Sequence, residues 1–277
     1  MPRRSSSFPA KSVVRRLLAD ARRITSEVGA LVQRRARHTG VRARRKGVGD
    51  FVTEVDLAAE RKLQSLLRAA HPGHGFLGEE TGLVEGEEPF VWIVDPIDGT
   101  SNFSRGLRTH AVSVAACTLE GMPIAAAAYC EPESVLYSAA HGLGAFRGRQ
   151  RLTPARRRLD DGSILGVQWF RDAAALPFLQ PVVNSGARVR NLGCTVQQVC
   201  DVAAGRLDGN LQEQGRIWDL AAVALIAAEA GAKCTDWHGK PLLPFGTLSG
   251  DVHHPSLIAW PAVHAPLVRI LRAAQSL

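Results

Sequence analysis

From Val14 onward apolar residues recur at steps of three and four, at Leu17, Leu18, Ala21, Ile24, Val28 and Leu31, while Arg15, Arg16, Arg22, Arg23 and Arg34 fall largely on the opposite side. That spacing predicts an amphipathic surface helix. Gly47 and Gly49 interrupt the pattern, and Asp56 then stands at the start of a second helix bearing Leu63, Leu66, Leu67 and Ala70, closed by His71-Pro72-Gly73. Short apolar runs follow at Phe90 to Val94, Ala111 to Cys117 and Pro123 to Cys130, and Val135 to Ser138 leads into a glycine-rich turn. These read as strands, the middle pair forming a hairpin around Glu120-Gly121. The basic run from Arg147 to Arg158 reads as a solvated connection. Beyond it the pattern predicts strands at Ile164 to Gln168, Leu207 to Leu211, Lys233 to Asp236 and Leu257 to Trp260. Helices are predicted at Thr195 to Ala204, at Asp219 to Ala230 and from Pro261 to the end. Mixed strands and helices without a strict βαβ period indicate an α/β or α+β layered fold.

A chain of 277 residues with 45% hydrophobic residues can bury a large core. Its apolar runs are far shorter than the ~20 residues that span a bilayer, so no membrane helix is expected. Residues 1–10 carry Arg3 and Arg4 without an apolar stretch, and read as a disordered basic tail rather than a secretory signal. Residues 11–277 are expected to form one domain of two packed subdomains, with a boundary near 150–160. The five cysteines are odd in number and lack C-x-x-C spacing; they read as buried free thiols, which points to a reducing, cytoplasmic setting. The net charge of +8 is concentrated in residues 1–46, where 14 Lys and Arg face only Asp20 and Glu27. Such a segment suits nucleic acid or an acidic partner surface, but no aromatic residues interleave the arginines as a single-strand platform requires. A solvated helix face is the simpler expectation.

Chemistry concentrates in Trp92-Ile93-Val94-Asp95-Pro96-Ile97-Asp98-Gly99-Thr100. An apolar strand runs into two carboxylates three residues apart, which a turn brings to one side as hard oxygen ligands for Mg²⁺. Pro96 stiffens that turn, the Ile97 carbonyl is left to face a metal, and the Gly99 and Thr100 amides suit a phosphate. In isolation, D-P-x-D-G is a β-turn with an Asx bond, and Asp219 after Trp218 is a helix cap. The combination decides: Gly78-Glu79-Glu80 lies upstream and Trp218-Asp219 with Ala221-Ala222 downstream.

With these three blocks in this order the chain resembles the inositol monophosphatase family. Lys46-Gly47 with Asp50-Phe51-Val52-Thr53-Glu54-Val55-Asp56, Gly142 to Arg147, Glu229-Ala230-Gly231 and Leu257-Ile258-Ala259 extend the similarity from about Val14 to Leu271. The resemblance implies a layered αβαβα sandwich of the inositol monophosphatase and fructose-1,6-bisphosphatase type, a homodimer, and inhibition by lithium. It implies two to three Mg²⁺ ions on Glu79, Asp95, the Ile97 carbonyl, Asp98 and Asp219, with one ion activating water for in-line attack on a phosphomonoester. Glu79 and Thr100 would position that water and Asp56 would hold the Thr100 hydroxyl. Substrate contacts would come from Asp98, Gly99, Thr100, Gly193, Thr195 and Asp219. Where the family carries an acidic residue for the substrate hydroxyls, this chain has Gln212, with Glu213 beside it.

The expected reaction is hydrolysis of inositol 1-phosphate, the alternatives being histidinol phosphate, fructose 1,6-bisphosphate or 3′-phosphoadenosine nucleotides. A haloacid dehalogenase type of phosphatase is disfavoured because two residues, not one, separate Asp95 from Asp98. A factor associated with RNA or RNA polymerase is the non-enzymatic alternative, suggested by the basic segment and by some bacterial relatives. His71, His74, His110 and His141 read as solvated or capping histidines, and Trp169 and Phe170, followed by Arg171-Asp172, as core filling.

Overall fold

The computed structural model describes residues 8–36, 43–47, 50–131, 133–155, 157–168 and 176–274. Helix α1 (Lys11–Ala36) precedes a hairpin of β1 (Ala43–Gly47) and β2 (Asp50–Thr53), followed by α2 (Glu54–Ala70). An eight-stranded sheet comes next, from β3 (Gly75–Gly78), β4 (Gly82–Val84), β5 (Phe90–Asp98), β6 (Ala111–Thr118), β7 (Pro123–Cys130), β8 (Val135–Ala140), β9 (Gly144–Arg147) and β10 (Gln150–Arg151). The short α3 (Thr100–Ser104) links β5 to β6. The remaining chain supplies β11 (Ile164–Val167), α4 (Leu176–Asn184), β12 (Arg188–Arg190), α5 (Thr195–Ala203), β13 (Gly209–Gly215), α6 (Ile217–Ala230), β14 (Lys233–Thr235), β15 (His254–Ala259) and α7 (Pro261–Ala274). Its strands form a five-stranded sheet ordered β12-β11-β13-β15-β14.

Alternation along the central strands explains how these pieces stack. Val112, Val114 and Ala116 of β6, with Trp92 and Val94 of β5, face a core shared with Leu17, Ile24 and Val28 of α1 and Leu63 and Leu67 of α2. The intervening Ala115, Cys117, Val91 and Ile93 face a second core shared with α5 and α6. A strand buried on both faces reads as a continuous apolar run, which is why these segments were legible. Helices α5 and α6 also contact the five-stranded sheet, and α7, with α4 against it, closes the far face. The layers therefore run α1/α2, sheet, α5/α6, sheet, α4/α7: an α/β fold of αβαβα order.

Several expectations shift. Helix α2 begins earlier than Asp56: Thr53 is its N-cap and Asp56 sits three residues inside, the two side chains forming a capping box. The run from Arg147 to Arg158 is not wholly solvated, since Gln150 and Arg151 pair back on Arg147 and Phe146, and Leu152 is buried. Strand β13 starts later than predicted and reaches Gly215. Helix α4 has no clear signature in the sequence because Pro177 and Pro181 disguise its pattern. His71 is the C-cap residue of α2, in line with the capping alternative, and is buried, while His74 is half-buried: their rings stack at 4.5 Å, His71 Nε2 lies 3.1 Å from Asp20 Oδ2 on α1, and His74 Nε2 lies 3.1 Å from Glu88 Oε2. His110 is buried as well. All five cysteines are free, and four are buried while Cys234 is half-buried. Of the expected tail, Phe8 rests on the His141 ring and residues 1–7 lie outside the described residues. Trp169, Phe170, Arg171 and Asp172 also lie outside them, as does the Lys46 side chain. Among the described residues no helix is long and apolar enough to cross a membrane.

Candidate active site

Two strands deliver the first acids. Strand β3 runs parallel to β5 with Gly78 opposite Val94, so Glu79 and Asp95 leave the same edge of the sheet as neighbours. Asp95 and Asp98 are not on a turn, as the sequence suggested, but within β5. Asp95 pairs with Ser113 and Asp98 with Ala111, three steps on one strand against two on the other. This is a β-bulge at Pro96-Ile97, where a proline is tolerated because the ladder is already interrupted. The extra residue offsets the period-two alternation that would otherwise send side chains three apart to opposite faces. Gly99 follows with φ +88°, and a Cβ there would lie 2.9 Å from the Thr109 carbonyl oxygen, so only glycine turns the chain into α3.

Asp219 arrives from the helix layer. It is the third residue of α6, its Oδ2 accepting from Arg216 N at 2.9 Å and facing Gln212 Nε2 at 3.4 Å. Ser113, opposite Asp95, donates to the Trp218 carbonyl at 3.3 Å and ties this helix start to the sheet. One carboxylate oxygen each from Asp95, Asp98 and Asp219 consequently lies within 4.8 Å of the other two. Asp98 is anchored at the start of α5, its Oδ2 accepting from Val196 N at 2.5 Å and Cys194 Sγ at 3.0 Å.

Electrostatics make this cluster costly without a cation. Burial, then the negative charges of Glu79, Asp98, Asp219 and Asp56, pushes the Asp95 carboxyl well above its ordinary value. Burial raises Asp98 to about 6 against the hydrogen bonds that favour its charged form, and burial with the Asp98 charge raises Asp219 to about 7. Asp95 Oδ1 is buried with no hydrogen-bond partner among the described residues. Hard oxygens crowded in this way fit a divalent cation such as Mg²⁺.

An open cleft of about 1230 Å³ surrounds the cluster. Of the residues predicted to act, Glu79, Asp95, Ile97, Asp98, Gly99, Thr100, Gly193, Gln212 and Asp219 line it. Glu79 stands outside the tight triplet of aspartates. Asp56 and Thr195 do not line the cleft but lie beneath it, buried. Asp56 Oδ1 is 3.0 Å from the Thr100 hydroxyl, the pairing anticipated from the resemblance. That hydroxyl is also 2.8 Å from the Ile97 carbonyl oxygen, and having one proton it donates to only one of the two at a time. Thr195 meets Asp98 through its backbone amide, not its hydroxyl. Gln212 is almost fully buried and turned toward Asp219; Glu213 does not line the cleft.

The structure adds residues the sequence reading passed over. Asn102 Nδ2 donates to the Thr109 and Leu192 carbonyls at 2.8 and 2.7 Å, joining α3 to the turn before Gly193. Gln168, Asn191, Gln214, Arg216 and His253 line the rim. Only Asn102, two residues after the acidic block, had a positional signal.

Comparisons with known proteins show the family and the fold. A sequence model of the inositol monophosphatase family matches residues 14–276. The inositol-1-monophosphatase of Caulobacter vibrioides is 40% identical over 205 residues, 71% of this chain and 80% of the relative. The Nus factor SuhB of Escherichia coli is 37% identical over 205 residues, 72% and 76% of the two chains. Among solved structures, the extragenic suppressor protein SuhB from Bartonella henselae has a TM-score of 0.83 at 28% identity, covering 94% of this chain and 98% of that one. The inositol monophosphatase of Thermotoga maritima has a TM-score of 0.83 at 25% identity with the same coverages, 94% and 98%.

Proposed function

Because the chain belongs to the inositol monophosphatase family, and so is a phosphatase of the phosphoric monoester type, we propose that it hydrolyses a small phosphomonoester, inositol 1-phosphate foremost, with Mg²⁺ as cofactor. The observation that carries this reading is the meeting of Asp95, Asp98 and Asp219 around a buried Asp95 oxygen that has no hydrogen-bond partner among the described residues. Glu79, Asp95, the Ile97 carbonyl, Asp98 and Asp219 would hold two to three Mg²⁺ ions. Bound there, the ions would supply Lewis-acid stabilisation of the phosphoryl oxygens and ease deprotonation of water.

The chain's own residues would do the rest. Thr100 donates its hydroxyl proton to Asp56 or to the Ile97 carbonyl, which leaves an oxygen lone pair to accept from the attacking water. Glu79, at the neighbouring strand end, would accept the other water proton. The water oxygen forms a new bond to phosphorus as the ester P–O bond breaks; one proton ends on phosphate and one on the departing alcohol oxygen. Gly99 and Gly193 would leave room for substrate, and Gln212 would offer a neutral amide where the family resemblance implies an acidic residue.

Phosphate release from a panel of phosphomonoesters, with and without Mg²⁺, tests the reading. Metal-dependent turnover that disappears in Asp98→Asn, with the fold retained, is the expected result; near-normal turnover in that variant would refute it. A second reading is favoured by the SuhB relatives named Nus factors and by the exposed Arg15, Arg16, Arg23, Arg34 and Arg35 on α1. Association with RNA or RNA polymerase would be salt-sensitive and would survive Asp98→Asn.

A further inference from the structure

We infer that Glu60 is a positioning residue for the reaction, and that α2 sets the distance between Glu79 and Thr100; this rests on the function proposed above. Glu60 lies four residues after Asp56, so both side chains leave the same face of α2 one turn apart, about 5.4 Å along the axis. Both are buried, each 1% exposed. Asp56 holds the Thr100 hydroxyl at 3.0 Å. Glu60 reaches the other wall of the cleft, where Oε2 accepts from the Glu80 amide at 2.9 Å and Oε1 from the Thr81 amide at 2.6 Å.

These two amides directly follow Glu79. A carboxylate accepting from both fixes the peptide planes that aim the Glu79 side chain, as an anion does in a backbone nest. Gly78 belongs to the same device: a Cβ there would lie 2.6 Å from the Glu60 carboxyl carbon and Oε1. Any side chain at Gly78 would push the carboxylate off the two amides. One rigid helix thus holds both water-orienting groups, Thr100 through Asp56 and Glu79 through Glu60. Displacement by 1 Å can cost on the order of 100-fold in rate even when no reacting group is touched.

The experiment compares wild type with Glu60→Gln, which keeps the shape but replaces one accepting oxygen with a donor. Amide exchange at Glu80 and Thr81 should quicken roughly 10-fold or more as one bond is lost, while the β6 and β7 amides stay protected. Calorimetric titration with Mg²⁺ should show affinity falling about 10- to 100-fold, the usual effect of losing a group that orients a ligand. At saturating Mg²⁺, kcat should fall on the order of 100-fold with substrate KM little changed. Gly78→Ala should reproduce this pattern, and Glu60→Asp, charged but shorter, should not rescue it. If Glu60→Gln does not fold, Gly78→Ala and Glu60→Asp carry the same three measurements. Unchanged exchange and Mg²⁺ affinity overturn the inference, as do losses that merely follow the unfolded fraction. If wild type releases no phosphate from any ester, the proposed function falls, whereas the exchange and Mg²⁺ titrations still decide the role of Glu60.

Discussion

Two buried polar clusters lie on opposite faces of the eight-stranded sheet, and their contrast separates structure from chemistry. On the α1/α2 face, each histidine of the stacked pair His71 and His74 has an acid, Asp20 or Glu88, at 3.1 Å. On the α5/α6 face Asp95, Asp98 and Asp219 crowd together, each with its pKa raised, and an Asp95 oxygen is unpartnered among the described residues. In the first cluster each imidazole meets a carboxylate of its own, and these pairs support the fold. The second costs stability, a cost that a bound cation of the kind proposed above would offset.

The strongest way to break this contrast is to neutralise one acid. Asp98→Asn should lower phosphate release by about 10²–10³-fold or more, while the metal-free melting temperature stays level or rises, because a buried repulsion is removed. Heating curves paired with an assay decide it, and a collapse of the fold would make the acid cluster a stabilising element after all.

The two clusters should also respond to pH with opposite sign. For Asp98 and Asp219 the folded pKa values, about 6 and about 7, exceed the ordinary 3.8. Between those limits the folded protein binds more protons than the unfolded chain, so their contribution weakens the metal-free fold as pH rises toward 7. Mg²⁺ should therefore raise the melting temperature more at pH 7.5 than at pH 5. Burial lowers His71 and His74 below 6.5, so the unfolded chain binds more protons there and stability falls as pH drops below 6.5. Melting with EDTA and with Mg²⁺ across pH 5 to 8 separates the two slopes; a Mg²⁺ effect independent of pH would contradict the titration of the acids.

A smaller effect is expected from the histidine side. His71→Ala should cost about 1–3 kcal/mol by urea denaturation, because Asp20 Oδ2 loses the imidazole while only Oδ1 keeps its bond from Arg23, and kcat should not change. Smallest of all, Gln212→Glu should shift the preference for inositol 1-phosphate over an acyclic phosphomonoester by about 2- to 10-fold, the worth of one hydrogen bond. No change in that ratio would remove Gln212 from substrate selection.

Much of the molecule was legible along the chain because periodicity is a local property. Strands β6 and β7, buried on both faces, appear as apolar runs, and α1 shows its stripe from Val14 to Leu31. The acids were legible as a set of three blocks, not as single residues. What escaped depends on partners distant in sequence. The bulge at Pro96-Ile97 exists only relative to Ser113 and Ala111, and the burial of His71 needs Asp20, 51 positions away. Thr53, not Asp56, caps α2, a distinction that rests on backbone angles. Glu60 looked like any helical glutamate until the Glu80 and Thr81 amides were seen to end on it.

Helix α6 sits between the sheets with Ala221, Ala222, Ala224, Ala227 and Ala230 buried, against a sheet face that includes Ala115, Ala126, Ala128 and Ala139. At its far end Glu229 accepts from the Gly142 and Gly144 amides at 2.8 and 2.7 Å, clasping the β8–β9 corner. Methyl groups so act as a shim: their thickness sets the gap across which Asp219 faces Asp95, and the clasp stops the helix from sliding. Bulkier side chains deep in that layer would open the jaws of the cleft like a badly spaced hinge, spoiling ion capture from a site many residues away.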